Sequence, residues 1–526
     1  MALVPIFLSS RGLSGEKDPT RIRTGDLLVA ENVDFGPTGL LQKDGGASKL
    51  NTAAVTGTPR IIAGMDYWPG ATSQRRLIAC ADGTLYKDDQ APAVTPAFAT
   101  QLKTGLATDR RVQILDGGQE GVGSASKAFF FNGADPVQVL SGDGATTAAL
   151  ATPPTDWTGA NQPRFGFLFR GNLLAGGNDN RPHVLYASLV TDQEDFTAVG
   201  TYQLYVYPGE SQRLVAGITA LGRGWVWKYP VGVYWINDAA SAVTGWYVQP
   251  ASREYGAIDS PHCVQQVDDT TVAFLSHTGR LILMQESSGT LSGVTFVDLT
   301  KALALQQLMR DTTNLSRLPW SQLRWYADKK QLHVTYAGAG ATIQNRRMVI
   351  DFNGERTRAE MSAKETCESL WMEDDADRIP RPVAGDNVGY VRFLDQAART
   401  VDGSPYRLRI QTSPTDFSDL DGGFAVLKNF YRLHLEYEAT GNYDVTATIY
   451  IDGVSKGAVT FSMGGGSGAV LPFTLPAVLG GTELRRRSRD ICGQGYYFSL
   501  DLQEATANNP KVGRAWVECE PLVMQR

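Results

Sequence analysis

Short apolar runs separated by glycine-bearing turns fill most of the chain. Residues 61–68, 77–81 and 84–87, broken by Pro69-Gly70 and Asp82-Gly83, read as three antiparallel strands joined by tight turns. The same grammar returns at 112–115, 128–131 and 137–140, at 165–169, 172–175 and 184–187, and at 214–221, 224–228 and 232–236. It continues at 262–267, 271–275 and 280–284, at 323–326, 332–336 and 347–352, and at 368–372 and 389–394. Units that begin about 40 to 60 residues apart, each with three or four strands, have the size of propeller blades. A four-stranded sheet has two faces and two edges; stacking such sheets around an axis covers the faces and leaves only short edges. The pattern predicts an all-β protein with a six- or seven-bladed β-propeller over residues 51–404.

A closed ring needs a latch. A strand at Leu40-Leu41-Gln42, preceded by Asn32-Val33-Asp34-Phe35-Gly36, is placed to pair with the last blade near residues 388–393. Asn32, Phe35, Leu40 and Leu41 are therefore the candidate closing residues, on an N-terminal arm of residues 1–50. One segment favours a helix, with Asp298 or Thr300 as N-cap followed by Leu303, Leu305, Leu308 and Met309. After Gly403-Ser404-Pro405 the strands lengthen, to 407–412, 428–437, 443–451, 459–463, 496–502 and 514–519. There Leu433, Leu435 and Tyr437 alternate with Arg432, His434 and Glu436, the mark of a sheet with one face in a core and the other in water. Residues 405–526 are predicted as a C-terminal β-sandwich, jelly-roll-like, with Gly464-Gly465-Gly466-Ser467-Gly468 as a loop within it.

Charge adds an exclusion. Lys+Arg 49 against Asp+Glu 55 gives −6 without large blocks of either sign, so no overall field recruits nucleic acid. The five cysteines are far apart, with no Cys-x-x-Cys pair, and read as reduced, mostly buried thiols. Residues 2–8 are too short for a signal core and contain Pro5, and no run of 18 apolar residues occurs, so no membrane segment is expected.

Candidate chemistry is sparse. His183, His262, His277, His333 and His434 lie in none of the spacings that place metal ligands on one face. Ser141-Gly142-Asp143-Gly144 approaches the Ser-x-Asp-x-Gly-x-x-Trp box of sialidase propellers but lacks its tryptophan. Adjacent carboxylates, Asp88-Asp89, Asp268-Asp269 and Asp374-Asp375, point to opposite faces of a strand and read as solvated turns. No catalytic residue, metal ligand or cofactor is predicted. Trp225, Trp227, Trp235, Trp246, Trp325 and Trp371 fall in predicted strands and suit blade packing. The one conspicuous basic cluster, Arg485, Arg486, Arg487 and Arg489, is the candidate interaction site. It suits a neighbouring subunit's carboxylates or a phosphate, with a solvated loop as the plainer alternative.

Three stretches carry a resemblance. Residues 32–46, Asn-Val-Asp-Phe-Gly-Pro-Thr-Gly-Leu-Leu-Gln-Lys-Asp-Gly-Gly, look like an Asn-x-x-Phe…Gly-x-Leu…Arg-Pro-Gly segment, with Lys43-Asp44-Gly45 standing where Arg-Pro-Gly is usual. Residues 167–176, Phe-Leu-Phe-Arg-Gly-Asn-Leu-Leu-Ala-Gly, are similar to a Phe…Arg/Gly-x-Leu-Trp-x-Ala/Gly strand pair. Leu185-Tyr186-Ala187-Ser188 with Asp192 and Asp195-Phe196 echoes a Leu-Tyr-x-Ser…Asp-Phe stretch. In these the chain resembles the β-propeller virion proteins of tailed bacteriophages, most of all the tail nozzle or tail tubular proteins of short-tailed phages.

The resemblance implies a non-enzymatic virion protein of the tail, assembled in the bacterial host cytoplasm. It would form a homo-oligomer, commonly a hexameric ring, next to portal and adaptor proteins and to tail fibre or spike proteins, with double-stranded DNA passing transiently. A mildly acidic chain suits that task, because each phosphate neutralised by a lining Lys or Arg adds affinity that slows transit. Two other readings are a carbohydrate-binding or glycan-hydrolysing propeller used for host attachment and a head decoration or tail-hub protein. The hydrolase would need two carboxylates about 5 to 9 Å apart.

Overall fold

The computed structural model describes all of the chain except residues 1, 7, 9–11, 16–24, 37–39, 71–72, 121–123, 209–211, 241, 291, 354–356, 418–425, 439–442, 464–483 and 523–526. Pro37-Thr38-Gly39 of the resemblance and the predicted loop at 464–468 thus lie outside the described residues. Seven antiparallel blades of four strands follow one another, six complete and the seventh with three of its strands between residue 61 and residue 396; the first five are separate sheets, and the last two are continued by further strands. Their first strands are Ile61–Tyr67, Gln113–Gly118, Phe165–Phe169, Arg213–Ala220, Val264–Asp268, Leu323–Tyr326 and Ser369–Asp374. Each touches the next, and the seventh touches the first, so they form a closed cycle around an axis. The chain is a seven-bladed β-propeller carrying a β-sandwich.

Aromatic side chains seal the seams. Trp371 of blade 7 is 2% exposed and lies flat on the backbone of Gly64 in blade 1, where any Cβ would sit 2.4 Å from the ring. Beside it, Arg76 of blade 1 is enclosed between Asp88 of its own blade and Glu373 of blade 7, the latter held by Nε at 2.8 Å. Asp88, expected in a solvated turn, is therefore buried and ion-paired; its place at the end of the strand Leu85–Asp88 turns it toward Arg76.

The fourth, outermost strands are the ones the hydrophobic pattern does not reveal. Ala148–Ala149 and Tyr202–Tyr205 face water over most of their length, so they carry little apolar periodicity. In blade 7 the outer strand comes from the N-terminal arm, but it is Gly46–Lys49, with Lys49 opposite Arg392 and Ser48 opposite Phe393. The expected latch at Leu40 and Leu41 is corrected on a steric and a hydrophobic ground. A side chain at Gly46 would meet the carbonyl oxygens of Ala398 and Thr400 at 2.0 and 2.4 Å, so glycine starts the closing strand. The apolar Leu41 instead sits fully buried in Leu41–Lys43, which pairs with Val33–Asp34 and with the C-terminal strand Lys511–Pro521.

The arm belongs to both domains. Ala2–Ile6 runs along Lys511–Pro521, and Asp26–Glu31 pairs with Leu408–Thr412 in the sandwich and touches Met361 of blade 6 through Glu31. One sheet of the sandwich holds Leu41–Lys43, Lys511–Pro521, Lys428–Glu438 and Leu484–Gly495; the other holds Asp26–Glu31, Leu408–Thr412, Phe498–Glu504, Asp444–Ile451 and Val454–Ser462. The sheets meet through Leu433, Leu500 and the Phe430–Phe498 ring pair, with centroids 5.3 Å apart. The propeller is thus inserted between the first and later strands of the sandwich.

Buried ion pairs fix this junction. Asp44 meets Lys364 and Arg347 of blade 6, and Arg347 also holds Glu365 at 3.0 Å. Lys43 reaches Glu504 of the sandwich at 2.9 Å with both side chains fully enclosed. Lys329 bridges Asp34 of the arm at 3.0 Å and Asp395 of blade 7 at 2.7 Å. Burial alone would raise the pKa of Asp44, but Lys364 and Arg347 outweigh it and hold the carboxyl well below the ordinary range. Asn32, in the left-handed region at φ 56°, takes the Ala363 amide at 3.0 Å and donates to the Arg407 carbonyl at 2.7 Å. Phe35 is buried under the Arg358 guanidinium. Leu40 is half-buried and lies over Gly513. Asn32 and Phe35 therefore join propeller to sandwich, Leu40 and Leu41 pack within the sandwich, and the strand that closes the ring is Gly46–Lys49.

The expected single helix is two, Leu299–Ala302 with Asp298 as N-cap and Gln306–Thr312. Between them Ala304 turns to φ 56° and its carbonyl accepts the Gly15 amide at 2.9 Å, so the arm wedges the helix apart.

Candidate interaction sites at the propeller axis and the sandwich edge

The loops that lead into the first strands converge on one end of the axis, and they are rich in arginine. Arg60, Arg111, Arg164 and Arg213 stand at the start of blades 1, 2, 3 and 4. Arg111 crosses the axis to Asp259, which precedes blade 5, at 2.9 Å and also reaches the Pro319 carbonyl at 3.3 Å. Arg213 meets the same Asp259 oxygen, and Arg164 approaches the other at 3.6 Å while holding Asp179 at 2.5 Å. Arg60 pairs with Asp109 at 2.6 Å and Glu368 at 3.3 Å, and its guanidinium stacks on Trp320. A planar carboxylate accepts several guanidinium forks at once, which is the chemistry of this mouth. Burial would raise the pKa of Asp259, but Arg111, Arg213 and Arg164 hold it below the ordinary carboxylate value.

Below the mouth the axis is bridged. His262 is buried; its Nε2 lies 2.7 Å from the Val112 carbonyl of blade 2, and its Nδ1 lies 3.4 Å from Arg324 of blade 6. The carbonyl can only accept, so Nε2 carries the proton and Nδ1 accepts from the guanidinium, an assignment made from the hydrogen-bond network. Burial first, and Arg324 second, push the imidazole down to about 3, which keeps it neutral at pH 7. Burial alone lowers Arg324 to about 10. Gln322 of blade 6 donates to the Ile62 carbonyl of blade 1 at 3.0 Å, completing the plug. Beside the mouth a cavity of about 310 Å³ is lined by Arg110, Arg111, Arg164, Asn132, Asp259 and Trp320.

The arginine cluster that stands out in the sequence is built differently. It lies on Leu484–Gly495, an edge strand paired only with Lys428–Glu438 among the described residues, and so is no loop. Strand alternation splits it. Arg485, Arg487 and Arg489 stand opposite Tyr437, Leu435 and Leu433, on the core side. Arg487 donates to the Tyr437 hydroxyl at 3.1 Å, and Arg489 donates to the Thr460 carbonyl of the other sheet's edge strand at 2.9 Å. Arg486 points outward, 4.7 Å above the Trp516 ring, on a face already holding the pairs Arg432–Asp490 and His434–Glu518. Charge along an edge strand blocks pairing with another chain's edge.

No family profile and no curated protein matches this sequence. Among solved structures the chain is similar to one described as "YCF48 bound to D1 peptide", with 9% identity and a TM-score of 0.41 over 69% of this chain and 97% of that one. It is also similar to "Crystal structure of BBS1N in complex with ARL6DN, soaked with mercury", with 11% identity and a TM-score of 0.40 over 67% of this chain and 96% of that one. The strand pairings themselves define the propeller. Among the described residues no helix is long and apolar enough to cross a membrane, and no group of three or more His, Cys, Asp or Glu side chains is arranged to hold a metal ion.

The axial cluster escapes a motif search because each arginine is isolated in sequence. A signal was nonetheless present: Arg60, Arg111, Arg164 and Arg213 are separated by 51, 53 and 49 residues, one blade length each. Arginine at the same place in four successive blades is a repeat of position, visible only once blade starts are aligned.

Proposed function

We propose that the chain is a structural subunit of a phage tail, a ring-forming nozzle or tail-tube protein that bounds the conduit for genome ejection. The reading is carried by the course of residues 26–49, because the segment that bears the resemblance is also the one that knits sandwich, blade 6 and blade 7 together through Asn32, Lys43, Asp44 and the closing strand. Separating the domains would strand buried charges, at a cost of about 3–5 kcal/mol for each broken pair. Such rigidity suits a subunit whose task is to hold its place among copies of itself.

The propeller's own axis is crossed by Arg111, His262 and Gln322. A DNA duplex, whose major groove alone is about 12 Å wide, therefore belongs in the centre of a ring of subunits. In this reading the neighbours are further copies, a portal or adaptor protein, and fibre or spike proteins. Negative-stain electron microscopy of the purified chain tests it. A six-fold ring with an open centre is expected; single propellers at the highest concentration reached overturn it.

A further inference from the structure

The axial mouth holds more positive charge than its own carboxylates balance. Six guanidiniums, of Arg60, Arg110, Arg111, Arg164, Arg213 and Arg317, face four carboxylates, of Asp109, Asp179, Asp259 and Glu368, in a chain whose net charge is −6. Arg317 stacks on Trp320 beside Arg60, and its Nε and Nη2 are buried with no hydrogen-bond acceptor; the Nε of Arg213 is in the same state. One layer deeper, the hydrogen bonds of Arg324 go to the Leu323 carbonyl at 2.7 Å and to neutral His262, and no carboxylate pairs with it among the described residues. Half-enclosed guanidiniums whose N–H groups lack acceptors are poorly compensated, so the mouth favours uptake of an anion.

The shape of that anion is written in the site. Asp259, with 14% of its side chain exposed, gathers guanidiniums from blades 2, 3 and 4, so the three forks are already set for a planar carboxylate. The cavity beside it, of about 310 Å³, is polar and is lined by the exposed Arg110 and the half-buried Asn132. That volume lies at the small end of ligand pockets, which run from about 300 to 1,000 Å³. We propose that the axial mouth of the propeller binds a small carboxylate-bearing anion, for which the chain's own Asp259 is the resident competitor.

The probe is citrate, titrated into the full-length protein by calorimetry at constant ionic strength, with inorganic phosphate as a second arm and sodium chloride as the control. Wild-type protein is expected to bind citrate at one site per chain, at least tenfold tighter than phosphate. Asp259→Asn keeps the shape and removes the competing charge, so it should bind citrate about tenfold tighter than wild type. Arg164→Gln should bind at least tenfold more weakly. Heat no different from that of sodium chloride overturns the proposal, as does phosphate binding as tightly as citrate. Because Arg164→Gln can fail by misfolding, Asp259→Asn decides separately: binding no tighter than that of wild type overturns the assignment of Asp259 as competitor. None of these results depends on whether the protein forms a ring.

Discussion

Two groups of arginines sit at opposite ends of what a sequence displays. Arg485, Arg486, Arg487 and Arg489 are nearly contiguous, yet the edge strand sends three to the rim of the core and one to the outer face. Arg111, Arg164 and Arg213 are about fifty residues apart, yet the ring brings all three onto one carboxylate. Closeness along a strand is divided by its period of two, and distance along the chain is cancelled by radial closure. Charge density in space, which decides what a site can hold, is therefore low in the first group and high in the second.

Enclosure gives the comparison its upper end. Arg76 is fully buried between Asp88 and Glu373 at the seam of blades 1 and 7. Replacing it with methionine strands two carboxylates, and denaturant unfolding followed by tryptophan fluorescence should show a loss of about 3–5 kcal/mol. Asp259→Ala leaves the axial guanidiniums without their shared partner but nearer to water, and the same measurement should give about 2–3 kcal/mol, below the range for full enclosure. If Asp259→Ala costs nothing, the axial group is no more a unit than the edge group.

The axis should also titrate. His262 is held near 3 in the folded chain against an ordinary value of 6.5. The unfolded chain therefore takes up a proton that the folded chain refuses. Stability contributed by neutral His262 is complete above about pH 6.5 and is lost as pH falls toward 3, with a slope near 1.4 kcal/mol per pH unit. His262→Gln should flatten that slope in stability measured between pH 6 and 4. An unchanged slope would show that the imidazole is accessible and the plug open.

The smallest effects belong to the edge. Arg486→Ala loses an exposed cation–π contact with Trp516 and should cost about 0.5 kcal/mol. Replacing Arg487 and Arg489 together should change unfolding little and raise light scattering on storage, because the edge beside Val454–Ser462 loses its charges. Loss of ring assembly on Arg486→Ala alone would give this face the greater role and reverse the ranking.

Much of the propeller was legible because inner strands are buried on both sides. Phe129, Phe130 and Phe131, or Trp225, Val226 and Trp227, read as continuous apolar runs. Outer strands such as Tyr202–Tyr205 face water and carry no such run, and Pro380–Gly385 is masked by its two prolines. The sandwich showed itself in the alternation around Leu433, Leu435 and Tyr437, all buried. The arm's weaving was hidden for a different reason. Pairing between Asp26–Glu31 and Leu408–Thr412 joins segments more than two thirds of the chain apart, and buried ion pairs such as Lys43–Glu504 that tie the arm to the sandwich are announced by no local pattern. The axial cluster was hidden by its spacing.

Native mass spectrometry of the purified chain over a dilution series tests the central claim, that this rigid body is built to assemble with copies of itself. A dominant species of six times 57.1 kDa, falling apart only on dilution, is the predicted result. A single species of 57.1 kDa at every concentration contradicts it.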